Sequence, residues 1–469
     1  MIYVFKKSVL WLLIACLIIG LLGFSSCSKN TDDPVEPFTE TDYSKQLKLD
    51  FTSNTLNQEV TVKTFVDGDT THFYPVKNSD VTGYYDFADQ GGYVKARYLA
   101  VNTPESTGKI EEWGKAAARY TRERLEKASS IVIESDNDCW NLDSTGSRLL
   151  LWIWYIPEGE SEYRNLNLEL LQNGYAIASS TANNRYGTTA MAALNQAKTL
   201  QLRVWSKEPD PDFYYGDAIP LTLKELRCNI ADYNGMKVSF EGVVTGEYSQ
   251  TAYLEDYDEE TGLYFGMTVY YGFGAGSDIL NALTVGNRAR VVGTVQYYEA
   301  GGTYQVSGLT YKFLDPNDPT NTIKLGEGYE PGFAKTDAAT FVGGSVEISI
   351  ETEDGSTKKV TIPYHEAVMS STISVDNLKV KSVYTTSSGG SSDGAMTLTC
   401  EAPDGTEVTV RTAVLYENGN LITGDAYLGK TVNVKGIVAI FDGCCQIYCY
   451  RPIHITAVSY THLTLPTIA

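Results

Sequence analysis

The pattern Gly286-x4-Val291-x-Gly293-x-Val295 recurs further along the chain as Gly429-x4-Val434-x-Gly436-x-Val438. Each copy is followed by a glycine-containing turn and then by Gln305-Val306 or Gln446-Ile447. Valines alternating in this way mark a strand with one buried face. The glycine between them lets the strand bend sharply, as at the corner of a small closed barrel. Two copies therefore imply two related β domains. Composition points the same way: 33 Tyr and 41 Gly, spread over short alternating runs, favour β-rich structure.

A chain of 469 residues exceeds one typical domain. Its net charge of −21 excludes a protein that coats nucleic acid with its whole surface, since phosphate binding needs a basic face. The charge is uneven. Residues 61–206 carry only −3, and the remainder carries −18. The near-neutral segment is the place to look for phosphate chemistry.

At the N-terminus Lys6 and Lys7 precede an apolar run from Val9 to Phe24, short for a membrane span of about 20 residues. The run ends in Phe24-Ser25-Ser26-Cys27. Residues 1–26 resemble a bacterial lipoprotein signal, which implies cleavage before Cys27, lipid on its sulfur, and export to a cell-envelope membrane. An uncleaved anchor is the alternative, and it too exports the rest. Residues 27–57, polar and acidic at their start, are expected to form a disordered tether. Six further cysteines (Cys139, Cys228, Cys400, Cys444, Cys445 and Cys449) lack zinc-site spacing and leave disulfides or free thiols open. Prolines among acidic residues mark a linker at 207–220. The two repeat-bearing blocks, 221–316 and 336–458, are joined by a second linker at 317–335. Both resemble OB-like barrels, although another small antiparallel barrel or sandwich fits the same pattern. Residues 459–469 do not continue the pattern and resemble a translated sequencing adapter.

The first block, 58–206, mixes strands and helices. Val60, Val62 and Val66 alternate as a strand, with further strands at 94–101 and 148–155. Helices are expected at 113–128, 165–173 and 188–202, with Gly174 ending the second. Three polar clusters interrupt these elements. Asp67-Gly68-Asp69-Thr70 places two carboxylates on a turn and suits a hard cation or a plain hairpin. Arg97 leads to Asn102-Thr103-Pro104-Glu105. Asp143-Ser144-Thr145-Gly146-Ser147-Arg148 delivers a second arginine into an apolar strand.

In this order the clusters resemble the staphylococcal nuclease homologue (thermonuclease) family, together with the helix after Pro104-Glu105, the Asn167-to-Gly174 helix end and Val204-Trp205-Ser206. The resemblance implies a five-stranded OB barrel with three helices and a calcium-dependent endonuclease hydrolysing DNA and RNA to 3′-phosphate products. It implies Asp69, Asn102 and the Thr103 carbonyl as Ca2+ ligands, with Asp67 in the outer shell. It implies Glu105 orienting or deprotonating the attacking water, and Arg97 and Arg148 gripping the phosphate. That division of labour suits phosphodiester hydrolysis, in which guanidinium groups and a divalent cation meet growing negative charge. Asn102 departs from the family's usual aspartate and implies weaker calcium affinity. Ser147 is an extra residue before Arg148. Ser144 and Thr145 replace a Lys-Tyr pair, and base-stacking tyrosines near Ser180 are missing. His72 is expected on the barrel surface, outside the chemistry. The alternative is a catalytically inactive OB-fold lipoprotein that binds nucleic acid. The C-terminal blocks are expected to be spacers or docking modules.

Overall fold

The computed structural model describes residues 39–76, 92–273, 275–351, 356–387, 390–441 and 443–458. The signal segment, Cys27 and residues 459–469 lie outside the described residues. Among the described residues no helix is long and apolar enough to cross a membrane.

Three barrels follow one another. The first is built from β1 (Asn57–Asp67), β2 (Thr70–Pro75), β3 (Val94–Tyr98), β4 (Ser130–Glu134) and β5 (Leu149–Ile156). Antiparallel pairs link β3–β2–β1–β4–β5, and β5 closes the ring by pairing parallel with β3. The helix α1 (Gly114–Glu126) joins β3 to β4, and α2 (Leu166–Gln172) and α3 (Gly187–Thr199) follow β5. The expected helices and strands of this block are all present. Gly174 takes φ +70°, the left-handed conformation that ends α2. Ala117, Thr121 and Leu125 of α1 are buried, as their spacing requires.

The second barrel comprises β6 (Lys237–Tyr248), β7 (Thr251–Asp258), β8 (Leu263–Tyr270), β9 (Arg288–Tyr298) and β10 (Thr303–Ser307). The third comprises β11 (Thr372–Thr385), β12 (Met396–Glu401), β13 (Glu407–Thr412), β14 (Thr431–Phe441) and β15 (Cys444–Cys449). Each closes as the first does: the third strand pairs parallel with the fifth, and the fourth returns to the first. This is the OB order in triplicate. The repeated glycines explain the closure. A Cβ on Gly293 would lie 2.7 Å from the Ser307 carbonyl oxygen, and one on Gly436 would lie 2.6 Å from that of Tyr448. At both places the fourth strand crosses the fifth too closely for a side chain.

Two expectations change. Residues 42–57 belong to the folded unit and not to a tether. Tyr43–Gln46 form a helical turn, the Tyr43 N–H donates to Gln172 Oε1 (2.8 Å), and Thr55 Oγ1 donates to Glu134 Oε1 (2.7 Å). Polar residues that look solvated in the sequence are buried because distant partners satisfy them. The connecting segments are also fixed in place. Asp210 of the 207–220 segment accepts from the Trp113 N–H at 2.6 Å, and Ile323–Gly326 of the 317–335 segment adds a strand beside β9. The six described cysteines are all free.

Candidate active site

The site lies where β1 turns into β2. Gly68 has no unusual φ; packing is what demands a glycine there. A Cβ would sit 2.8 Å from Thr103 Oγ1 and 2.9 Å from Ala117 Cβ. Thr121 Oγ1 of α1 donates to the Gly68 carbonyl at 2.6 Å, so the helix presses the turn against the strand that follows β3.

Asp69 is 1% exposed. Its Oδ2 accepts from the Thr103 N–H (2.9 Å), and its Oδ1 accepts from Thr70 Oγ1 (3.0 Å) and forms an ion pair with Arg97. The other terminal nitrogen of Arg97 donates to Asn102 Oδ1 at 2.5 Å. One guanidinium thus bridges the carboxylate and the amide. Burial raises the Asp69 carboxyl, and Arg97 and the Thr103 N–H oppose that rise.

Asp67 is also buried. Ser106 Oγ donates to its Oδ1 at 2.6 Å, with the Ser106 N–H at 3.2 Å and the Gly68 N–H at 2.8 Å. Burial pushes its carboxyl up to about 8, opposed by Ser106 and reinforced by the neighbouring carboxylates of Glu105 and Asp69. Glu105 itself is exposed at the mouth. Its backbone is fixed, because its carbonyl accepts from the Glu111 N–H at 2.9 Å and α1 begins against it at Gly114.

Arg148 precedes β5, the neighbour of β3 in the barrel; Arg97 stands opposite Leu150. Its Nε donates to Asp143 Oδ2 at 2.7 Å; against the opposing effect of burial, bonds from Thr145, the Arg148 guanidinium and the Arg148 N–H hold the Asp143 carboxyl down at about 2. The structure therefore gathers Asp67, Asp69, Arg97, Asn102, Thr103 and Glu105, and leaves Arg148 on the adjacent strand, turned to Asp143. A cleft of about 470 Å³ opens beside Asn102, with Pro104, Trp113, Ile177, Arg203 and Phe213 in its wall. His72 stacks near Tyr93 and stays out of the cluster.

Among the described residues no three His, Cys, Asp or Glu side chains form a group that could hold a metal ion. The donors still fit a hard cation. Asp69 Oδ1 and Asn102 Oδ1 already converge on one positive charge, and the buried Thr103 Oγ1 has no hydrogen-bond partner. Such a site has one carboxylate, one amide and a carbonyl, and depends on water for the remaining positions.

Sequence reasoning missed Ser106, which ties Asp67 to the loop after Glu105. It also missed Gln296 and Ser307 of the second barrel, which touch that loop. Comparing the repeats exposes a signal for the last two: the residues after Val295 and Val306 are Gln296 and Ser307, whereas those after Val438 and Ile447 are Ala439 and Tyr448. Polar residues at barrel positions that the sister repeat fills differently mark a contact of that barrel alone.

No curated protein matches the chain. Residues 95–207, which carry most of this cluster, match the family model of the staphylococcal nuclease homologues.

Proposed function

We propose that residues 58–206 form a calcium-dependent phosphodiesterase that cleaves DNA and RNA to 3′-phosphate products, exported and held at a cell-envelope membrane by lipid on Cys27. The observation that carries this reading is the convergence of Asp69, Asn102 and the Arg97 guanidinium beside Glu105, at the mouth of an OB barrel whose sequence matches a nuclease family.

A phosphodiester presents two anionic oxygens, much as Asp69 Oδ1 and Asn102 Oδ1 present two acceptors to Arg97. Arg97 exchanges one pair for the other when substrate arrives, because a guanidinium donates two parallel bonds equally well to phosphate. That exchange leaves the Asp69 and Asn102 oxygens, with the Thr103 carbonyl, to hold Ca2+. When bound there, calcium supplies positive charge for the phosphoryl oxygens. Glu105, exposed and anchored through its backbone, orients a water molecule and accepts its proton as oxygen attacks phosphorus. The bond from phosphorus to the 5′-oxygen breaks, the 5′-oxygen takes a proton from solvent water, and Glu105 returns its own proton to solvent. Arg148 would have to leave Asp143 and turn toward β3 to add a second pair of donors.

The full chain should degrade plasmid DNA, single-stranded DNA and RNA with calcium and not with chelator. Glu105→Gln should lower turnover by about 10²-fold or more. Because both arginines rest on carboxylates, a barrel that binds nucleic acid without cutting it is the second reading. Binding without cleavage at millimolar calcium establishes that reading and removes the first.

A further inference from the structure

The second barrel reaches into the candidate active site. Gln296 of β9 donates from Nε2 to the Ser106 carbonyl at 2.8 Å and accepts at Oε1 from the Gly108 N–H at 3.3 Å. Ser307 of β10 donates from Oγ to the Gly108 carbonyl at 2.8 Å and lies 2.9 Å from Gln296 Oε1. Gln296 is 8% exposed and Ser307 is fully buried, so these bonds have little competition from water. Gly308, at φ +60°, brings its backbone against the same loop; a Cβ there would lie 3.1 Å from the Gly108 carbonyl oxygen. Arg122 of α1 is also ion-paired with Glu299 just beyond β9, a further contact between that helix and the second barrel.

The loop so held is the one that carries Glu105. Its next residue, Ser106, donates to Asp67 through Oγ and N–H while its carbonyl is taken by Gln296. A continuous path of hydrogen bonds therefore runs from Gln296 through Ser106 to Asp67, and Ser106 is the residue next to Glu105 in the chain. The primary amide of Gln296 meets one carbonyl and one N–H of the loop, and only one orientation of that amide satisfies both.

We infer that the second barrel is part of the catalytic apparatus: Gln296 and Ser307 are positioning residues that clamp the Ser106–Gly108 loop and thereby hold Glu105 at the phosphate. The catalytic half of this inference rests on the nuclease reading; the clamp itself does not. Displacing a water-orienting carboxylate by about 1 Å can cost up to about 10²-fold in rate, so loosening its loop should be felt in turnover before substrate affinity.

The test uses the full chain and three variants, Gln296→Ala, Gln296→Glu and Ser307→Ala. Gln296→Glu keeps the length and the acceptor but sets a carboxylate against the Ser106 carbonyl, so it reports on the clamp even if the alanine variant unfolds. Hydrogen exchange followed by mass spectrometry should show amides 105–110 opening at least about tenfold faster, with the strands of the first two barrels unchanged. Turnover on single-stranded DNA should fall about tenfold with KM within twofold. Unchanged exchange in the loop overturns the clamp. Faster loop exchange with unchanged kcat, or with a rise in KM alone, overturns the positioning role. If the unmodified chain cleaves nothing, the nuclease reading fails by itself, and loop exchange still decides the clamp.

Discussion

A guanidinium satisfies a carboxylate or a phosphate with the same N–H groups, and both site arginines here rest on carboxylates, Arg97 on Asp69 and Arg148 on Asp143. The charge that would serve a substrate is stored on internal partners. Asn102 sets the balance at Arg97. Replacing its neutral amide by a carboxylate adds a second anionic ligand beside Asp69, so Asn102→Asp should tighten calcium binding about tenfold by isothermal titration. Unchanged or weaker binding removes Asn102 from the ligand set. His72 gives a prediction away from the chemistry. Burial, with the cations of Lys95 and Lys63, lowers its pKa from 6.5 to about 4. The folded protein thus prefers neutral imidazole, and the stability this provides is complete above pH 6.5 and is lost as pH falls toward 4. His72→Gln should flatten the fall of melting temperature across that window; parallel curves for the two proteins contradict it. The identities of the cluster residues were legible in the sequence, because turn, strand and proline fix where Asp69, Arg97 and Glu105 stand. Side-chain direction was not, since Arg148 turns to Asp143 through a contact only five residues away that competes with the expected phosphate.

Elements were legible where their own period carries the signal. Buried Ala117, Thr121 and Leu125 give α1 its inner face, and the glycine between valines gives β9 and β14 their crossing. The helical turn at Tyr43–Gln46 was illegible, because four residues carry no period and their partners lie more than a hundred positions away. Those partners centre on Glu169 of α2, 3% exposed, which accepts from Tyr155 Oη (3.0 and 2.9 Å), Tyr120 Oη (3.2 Å) and Ser44 Oγ (3.1 Å) and faces Arg124 and Arg164. The arginines keep contact with water, so the cost of losing this carboxylate lies in the stranded hydroxyls. Glu169→Ala should destabilise the first domain by about 2 kcal/mol in denaturant titration. It should also release residues 42–47 to rapid hydrogen exchange. A loss under about half a kilocalorie would show that water replaces the carboxylate without cost.

Across the whole molecule, the two C-terminal barrels share one apolar core, in which Phe265, Met267 and Val306 join the same cluster as Phe341, Ile373 and Ile447. Glu255 of β7 is the polar centre of the junction. It accepts from the Gly332 N–H and the Thr372 N–H, both at 2.7 Å, and from Thr372 Oγ1. A buried carboxyl with three donors from the segments that lead into and begin the third barrel cannot be desolvated by either barrel alone. Gly266 lies flat against Ser370 and Ser371, where a Cβ would come within 2.2 Å of the Ser371 nitrogen. Two separable domains would leave this apolar surface and this carboxylate to water. The barrels should therefore unfold as one body. Val306→Ala, a cavity in the second barrel worth about 1–2 kcal/mol, should speed the slowest exchanging amides of β11 and β14 by the same factor as those of β6 and β9. If only the second barrel responds, the shared core is a contact between independent folds, and the first barrel's clamp would then hang from a domain that can open by itself.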